Sequence, residues 1–516
     1  MEHTPAFKQY IEQGYTFKGK HIVLGTAMLD GLALPNTLVK VPLRSLNRHG
    51  LIAGATGTGK TKTLQRLTES LSDNGIPVVL MDIKGDLSGI AAAGELTSKV
   101  TERMNTIGID WSPTAYSTEM LSLSNEKGLR LRATVSEFGP VLFSKILDLN
   151  DTQAGVIAVI FKYADDRQLP LLDLKDMKKM LNFATNEGAD EFAELYGKIA
   201  SATASTILRK IVELEQQGAE LFFGEPSFEV DDLCRLDNNC KGIVSIVRLT
   251  DLQDRPKLFS TFMLSLLAEV YASFPEEGDL EQPKLVFFID EAHLLFDEAS
   301  DALLDQIENI VRLIRSKGIG VFFCTQKPTD IPEQVLAQLG LKVQHALRAF
   351  TAKDRQDIKL TAQNYPDNRY YQTDELLTSL GIGEAAVTVL DEKGKPTPLV
   401  ATMMCAPQSR MGILTDTELQ RIIAQSTLAK KYSREIDRES AYEILSEKLN
   451  TQAKEIPEKT TETKAKTEKE EPGMFEKLSK NTMVRQVGTS IAREVTRGLL
   501  GVLGLGGKSR SKKGWF

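Results

Sequence analysis

The chain has 516 residues, of which 41% are hydrophobic, and its 63 Lys and Arg against 70 Asp and Glu give a formal net charge of -7 at pH 7. This length supports a large buried core and exceeds one average domain. The negative total excludes a surface that is basic all over, but it permits a local basic channel, because ligand steering depends on where the charges lie.

The cysteines and the hydrophobic segments indicate in which cellular compartment the protein is expected. The four cysteines show no spacing typical of metal ligands, which favours free thiols in a reducing environment. The first residues lack the basic and then apolar pattern of a signal peptide, and no apolar stretch reaches transmembrane length. These features predict a cytoplasmic protein.

The sequence divides into segments of different pattern. Short apolar runs broken by glycine and proline predict a β-hairpin element within residues 1–45. A core is predicted over 46–425, with a helical insertion at about 145–220 where apolar residues recur at helical spacing. A C-terminal helix is expected over 426–450.

Residues 54–61 read Gly-Ala-Thr-Gly-Thr-Gly-Lys-Thr, a complete phosphate-binding loop. The loop lies between an apolar strand at 50–53 and a segment with helical spacing, which is the context that the motif requires. Its glycines allow backbone conformations closed to other residues, so that successive amides point at a phosphate near the positive end of the helix. We expect Lys60 to reach the β- and γ-phosphates and the Thr61 hydroxyl to bind Mg²⁺. The predicted nucleotide-binding residues are Gly54, Ala55, Thr56, Gly57, Thr58, Gly59, Lys60, Thr61 and Lys62.

Further apolar runs alternate with helical segments along the core. Strands are predicted at 77–82, 242–247, 285–291 and 320–325. Helical patterns over 259–271 and 303–314 separate the later strands. This alternation predicts an α/β fold with a doubly wound, mostly parallel sheet.

An acidic pair ends the strand at 285–291, at the edge where open α/β sheets bind ligands. We assign Asp290 as the carboxylate that organises Mg²⁺ through its water shell, and Glu291 as the base that polarises the attacking water. His293 follows, with a coupling role or a packing and capping role as alternatives. Together with the loop, the pair predicts an ATPase that uses ATP and Mg²⁺.

Gln326 directly follows the strand at 320–325. If this strand lies beside the loop and the acidic pair, the Gln326 amide holds the lytic water or senses the γ-phosphate. The alternative is a polar residue that only forms a turn.

Four motifs in this order resemble the HerA branch of the HerA/FtsK superfamily of ring ATPases, and the similar family is a bacterial HerA-helicase-like one of unknown function. The similarity covers about residues 20–410, and its motifs lie at 54–61, 82–86, 289–293 and 325–332. The resemblance implies a RecA/HerA-like P-loop NTPase fold in a homohexameric ring, with ATP between neighbouring subunits and DNA or a related polymer moving through the centre. It also implies that Gln326 senses the γ-phosphate.

Such a ring needs an arginine that reaches across the subunit boundary and neutralises charge in the transition state. Arg312 and Arg315 are three residues apart and therefore share a helical face. Arg348 and Arg355 compete with them, and each of the four has a surface ion pair as its alternative role. We expect Arg315 and Arg348 to be the catalytic arginines.

The C-terminal part has a different composition. Residues 451–472 are mostly Lys, Glu and Thr, which predicts a solvated, flexible linker. Over 473–516 apolar residues recur every three or four positions between arginines, which predicts a basic amphipathic tail. Such a tail binds a membrane surface, nucleic acid or a groove on another subunit, or else it docks on its own ring or is only a soluble tail.

Three functional classes fit these observations. The motifs favour an ATP-driven DNA translocase or helicase, whereas the acidic total charge and the tethered tail fit a regulatory or assembly ATPase that switches a protein partner. The third class is a GTPase or a small-molecule kinase. Against a GTPase, residues 326–330 place one residue too many between Lys and Asp for a guanine-reading motif, and against a kinase no arginine-rich lid is evident.

Overall fold

The computed structural model describes residues 4–278, 280–296, 301–434, 436 and 438–454. These residues form two compact units. The first unit holds the described residues up to Ala133 and from Glu213 to Ile436, and the second holds those from Thr134 to Val212 and from 438 to 454. Apart from residues 451–454, the predicted linker over 451–472 and the predicted tail over 473–516 lie outside the described residues.

Within the described residues, twelve strands form a single sheet in the first unit. The strands are β1 (His21–Leu29), β2 (Leu32–Pro42), β3 (Gly50–Ala53), β4 (Val78–Asp82), β5 (Thr118–Ser122), β6 (Leu129–Arg130), β7 (Val244–Arg248), β8 (Leu285–Ile289), β9 (Ile319–Thr325), β10 (Leu341–His345), β11 (Glu384–Val389) and β12 (Val400–Met404). Their order across the sheet is β2-β1-β12-β11-β10-β3-β9-β8-β4-β7-β5-β6.

The α-helices alternate with these strands or form the second unit. They are α1 (Thr4–Gly14), α2 (Lys60–Asp73), α3 (Ser98–Ile107), α4 (Val135–Ile146), α5 (Asp151–Asp166), α6 (Leu174–Thr185), α7 (Ala189–Leu195), α8 (Ser201–Gln216), α9 (Pro256–Ser273), α10 (His293–Phe296), α11 (Asp301–Ile314), α12 (Glu333–Leu336), α13 (Ala352–Gln363), α14 (Thr373–Ser379), α15 (Asp416–Gln425), α16 (Ala429–Tyr432) and α17 (Ala441–Lys454). None of the helices in the described part of the chain combines the length and the apolar character needed to cross a bilayer.

The sheet is parallel from β10 to β6 and antiparallel from β10 to β2. Every residue of β3, β4, β8 and β9 is buried, as the continuous apolar runs in these segments indicate. Alternate residues of these strands pack with Leu64, Leu67 and Leu71 of α2 in one hydrophobic core. The predicted α/β fold with a mostly parallel sheet is therefore confirmed.

The structure differs from the sequence prediction at the end of β8. The predicted strand includes the acidic pair, but β8 ends at Ile289, and Glu291 has a φ of 45°. A left-handed residue breaks the extended backbone, so both acids lie on the turn beyond the strand.

The antiparallel side of the sheet contains elements that the sequence did not reveal. Strand β10 carries Lys342, Gln344 and His345 among its apolar residues, so hydrophobic periodicity gave no clear strand signal there. Helix α1 precedes the hairpin, and its Phe7 and Ile11 are fully buried. The hairpin of β1 and β2 joins the main sheet, because β1 pairs with β12.

The second unit is helical throughout its described residues. Capping boxes begin α4, α5 and α6, with Thr134, Asn150 and Asp173 as the N-caps. Helix α17 joins α6 through Asp176, whose Oδ1 accepts a hydrogen bond of 2.8 Å from the Tyr442 amide. The helix that was predicted over 426–450 is split into α16 and α17, and α17 continues into the first four residues of the predicted linker.

Candidate functional site

Four adjacent strands, in the order β3-β9-β8-β4, bring the predicted site residues to one edge of the sheet. Ala53 at the end of β3 is paired with Thr325 at the end of β9, and Ile289 at the end of β8 is paired with Met81 of β4. Because all four strands are parallel, the segments that follow them emerge side by side. These segments are the loop at 54–61, Gln326, the acidic pair and the turn after Asp82.

The loop is fixed to the strands on both sides of β3. The Gly54 amide donates to the Thr325 carbonyl at 3.3 Å, and the Ala55 amide donates to the Ala346 carbonyl at 2.8 Å. Gly54 has a φ of 150°, and a Cβ on it would lie 2.5 Å from the Cβ of His345. Only glycine fits at this position, because any side chain would push the loop away from β10.

Lys60 begins helix α2 after the N-cap Gly59, which has a φ of 114°. Its side chain is buried, and its Nζ donates to the Gly54 carbonyl at 2.7 Å. Burial first, and the nearby Lys84 charge second, lower the pKa of Lys60. The first amides of a helix have no intrahelical partner, so together with this ammonium group they form a positive cradle beside half-buried Thr61.

Asp290 is suited to a bound metal ion. It is 4% exposed, and its Oδ2 has no hydrogen-bond partner among the described residues. Burial raises the pKa of this carboxyl to about 6. A buried oxygen without a partner is a costly feature that a Mg²⁺ ion or its water shell relieves. Asp290 and the Thr61 hydroxyl therefore fit the metal-binding roles expected from the sequence.

Glu291 is 6% exposed and has charged or polar neighbours at both of its carboxylate oxygens. Its Oε1 forms an ion pair with the Lys84 ammonium group, and its Oε2 lies 3.2 Å from Nδ1 of His293. His293 is thus in reach of the predicted base, while its coupling role stays a prediction.

Lys84 is a site residue that sequence reasoning missed. The turn that carries it is held by Asp82, which is fully buried and accepts hydrogen bonds from the amides of Gly85 at 2.8 Å and Leu87 at 3.3 Å. Burial and then the charge of Asp86 raise the pKa of Asp82 to about 7. The motif at 82–86 was a signal for this turn, but only the adjacency of β4 and β8 reveals that Lys84 pairs with the predicted base.

Gln326 lies at the same edge, directly after β9, and its side chain is exposed. The backbone next to it is fixed, since the Thr325 hydroxyl and the Lys327 amide both donate to Asp330 Oδ2, at 2.6 and 3.0 Å. This position is compatible with the predicted sensor role.

The structure separates the candidate arginines. Arg348 follows β10, at the edge that carries the loop, and its Nη1 donates to the Thr378 carbonyl at 3.3 Å. Arg315 is exposed and precedes β9, so it lies at the opposite edge of the sheet and is not brought to the loop of its own chain. Arg312 and Arg355 are exposed on α11 and α13.

Two further contacts support the loop and were not foreseen. His345 Nε2 lies 2.9 Å from the Thr63 hydroxyl, and His345 Nδ1 lies 2.9 Å from the Glu384 carbonyl. Burial lowers the pKa of His345 to about 4, so the ring is neutral at pH 7. Lys62, predicted to bind nucleotide, donates through Nζ to the Met411 carbonyl at 2.6 Å.

We expect Asp290→Asn to stabilise the nucleotide-free protein. A carboxyl whose pKa rises from 3.8 to about 6 on folding makes the unfolding free energy fall as pH rises through this window. The full cost above pH 6 is about 2 to 3 kcal/mol, and an amide of the same shape avoids it. Thermal unfolding without nucleotide or metal at pH 5 and pH 8 measures the effect. A stabilisation that is no larger at pH 8, or that the exposed control Asp254→Asn shares, would contradict this account.

The sequence is similar to a known protein family and to named relatives. The Helicase HerA-like C-terminal family matches residues 31–510. The DNA double-strand break repair helicase HerA of Saccharolobus solfataricus is 23% identical over 368 residues, and that of Sulfolobus acidocaldarius is 21% identical over 375 residues. Each match covers 70% of this chain and 66% of the relative, so the chain spans just under two thirds of the length of these curated proteins.

Solved structures of the plasmid coupling protein TrwB have a similar fold. TrwB in complex with the non-hydrolysable ATP analogue ADPNP has a TM-score of 0.50 at 16% identity, over 78% of this chain and 94% of that one. TrwB in complex with ADP and Mg²⁺ also has a TM-score of 0.50, at 15% identity over 79% and 94% of the two chains. With a family match over most of its length and a phosphate-binding loop at the sheet edge, the chain belongs to the Helicase HerA-like C-terminal family.

Proposed function

We propose that the protein binds ATP with Mg²⁺ and hydrolyses it in a homohexameric ring that moves DNA. The observation that carries this proposal is the shared edge of β3, β9, β8 and β4, which holds the loop, Gln326 and the acidic pair together. The described relatives support it, because HerA is a DNA double-strand break repair helicase and TrwB binds an ATP analogue as well as ADP with Mg²⁺.

Nucleotide binding rests on the loop and on α2. The loop amides and the first amides of α2 bind the phosphates, and Lys60 exchanges its contact with the Gly54 carbonyl for phosphate oxygens. Thr61, through its hydroxyl, and Asp290, through the water shell of the ion, would hold Mg²⁺ beside the nucleotide. When bound, Mg²⁺ neutralises charge on the phosphates and orients them.

Hydrolysis needs a water aligned with the terminal phosphorus. The water oxygen bonds to this phosphorus while Glu291 accepts the water proton, and the bond from phosphorus to the bridging oxygen of ADP breaks. ADP and inorganic phosphate leave, and the proton passes from Glu291 to solvent or product. Gln326 orients the water or reports the presence of the terminal phosphate.

The central test measures ATP hydrolysis by the full chain with single-stranded DNA, double-stranded DNA, RNA or no polymer. We expect Mg²⁺-dependent turnover that one form of DNA stimulates, and a mass in solution with nucleotide that corresponds to six copies. The variant Lys60→Ala reports the background. If turnover persists but responds to no nucleic acid, the translocase proposal fails, and the regulatory ATPase that switches a protein partner replaces it.

We expect Glu291→Gln to keep ATP bound while its hydrolysis slows by a factor of about 10² to 10⁴, the usual contribution of a general base. The amide preserves the shape of the side chain but does not accept the water proton. Single-turnover hydrolysis and retention of labelled ATP check this, with the exposed Glu333→Gln as the matched control. Full turnover by Glu291→Gln would show that another group is the base.

The catalytic arginine is tested by mixing inactive subunits. Arg315 lies at the edge opposite the loop of its own chain, so it acts only on the nucleotide of a neighbour. Arg315→Ala and Lys60→Ala subunits should each be inactive and should recover part of the ATPase activity when mixed, because some interfaces then combine an intact loop with an intact arginine.

In a second experiment, Arg348→Ala subunits are mixed with Lys60→Ala subunits in the same way. The control variant Arg421→Ala, on the exposed face of α15, should stay fully active. If neither mixture recovers activity, both arginine assignments are wrong.

A further inference from the structure

Lys84 is a cation of the site that the proposed hydrolysis mechanism leaves without a role. Its turn has a fixed backbone, since Asp82 accepts from two amides of the turn and Gln253 Nε2 donates to the Ile83 carbonyl at 2.8 Å. Gly85 has a φ of 76°, and a Cβ on it would lie 2.8 Å from Thr250 Cγ2. The turn therefore directs the long Lys84 side chain, 35% exposed, toward the acidic pair.

The ion pair competes with an attacking water for the carboxylate oxygens of Glu291. Lys84 is paired with Oε1 of Glu291, and His293 faces Oε2. A general base needs an oxygen that accepts a hydrogen bond from the attacking water. Each carboxylate oxygen accepts up to two hydrogen bonds, so these contacts take up one acceptor position on each oxygen, and release of Lys84 would open a further position on Oε1 for the water.

Lys84 also lies near the expected position of the phosphates. Its ammonium group contacts Glu291, the predicted base, at the edge of the sheet that carries the loop, and its charge is the second cause, after burial, that lowers the pKa of Lys60. The negative charges of Glu291 and Asp290 raise the pKa of Lys60 in turn. A terminal phosphate carries more negative charge than one carboxylate and offers more acceptor oxygens, so it competes for Lys84.

We propose that Lys84 exchanges partners during the ATPase cycle. Without nucleotide it pairs with Glu291, and the terminal phosphate of a bound nucleoside triphosphate takes it over, which opens an acceptor position on Oε1 of Glu291 for the attacking water. A diphosphate has no terminal phosphate at this point and leaves the ion pair intact. This inference rests on the proposed ATP hydrolysis, and it makes Lys84 a residue that distinguishes triphosphate from diphosphate.

Binding of ADP and of a non-hydrolysable ATP analogue by the full chain, each with Mg²⁺, tests the exchange. We expect Lys84→Met to bind ADP like the wild type and to lose about tenfold in affinity for the analogue, the value of a charge-assisted contact. Its kcat should fall by at least about tenfold, whereas Lys84→Arg should retain most of both properties. The control Lys127→Met, which breaks the surface ion pair with Asp416, should change neither.

The variant Glu291→Gln provides a second test of the exchange, in which Lys84 itself is unchanged. Removing the carboxylate charge releases Lys84, so this variant should bind the analogue more tightly than the wild type while its ADP affinity is unchanged. Adding Lys84→Met to it should abolish the gain.

Equal losses of ADP and analogue in Lys84→Met, or an unchanged analogue affinity in Glu291→Gln, would overturn the exchange. If the wild type binds neither nucleotide, the proposed function fails together with the exchange. If the wild type hydrolyses ATP, and Lys84→Met distinguishes the ATP analogue from ADP as well as the wild type does, the exchange is refuted and the proposed function stands.

Discussion

The parallel pairing of β3, β9, β8 and β4 is the constraint on which the site depends. Parallel strands deliver their carboxyl ends to one edge, so the register of the sheet sets the spacing between the loop, the acidic pair and Gln326. A change of register would separate the residues that bind phosphate from those that activate water. The continuous burial of these strands stabilises the register, because a shift would exchange the side chains of the two packed faces and disrupt the packing on both.

The site concentrates charges that the fold by itself does not favour. Asp82, Asp290 and Glu291 are all buried, and burial raises the pKa of the first two carboxyls. In the described part of the chain, only two nearby cations, Lys60 and Lys84, face these three acids, and burial also lowers the pKa of Lys60. Such clusters are typical of functional sites, where groups are kept for their chemistry at a cost in stability. A bound Mg²⁺ ion would offset part of this excess of carboxylates.

Segments far along the chain support the loop and its helix. The antiparallel strands place His345 under α2 and bring the Gly383 amide to the Thr58 carbonyl at 2.9 Å. On another side of α2, buried Glu69 accepts hydrogen bonds from the amides of Gln408 and Ser409. The nucleotide loop is thus held from residues more than 280 positions away, which ties the order of the loop to the folding of the whole first unit.

The sequence by itself determined the loop at 54–61, the acidic pair and the parallel strands β3, β4, β7, β8 and β9, because short-range spacing and continuous apolar runs are local properties. It did not determine β10, whose polar residues obscure the pattern, nor β11 and β12, nor the turn at Glu291. Only the tertiary structure decided that Lys84 pairs with Glu291 and that Arg315 and Arg348 lie at opposite edges. The physical reason is that these relations depend on which strands are neighbours, and strand order is set by packing over hundreds of residues.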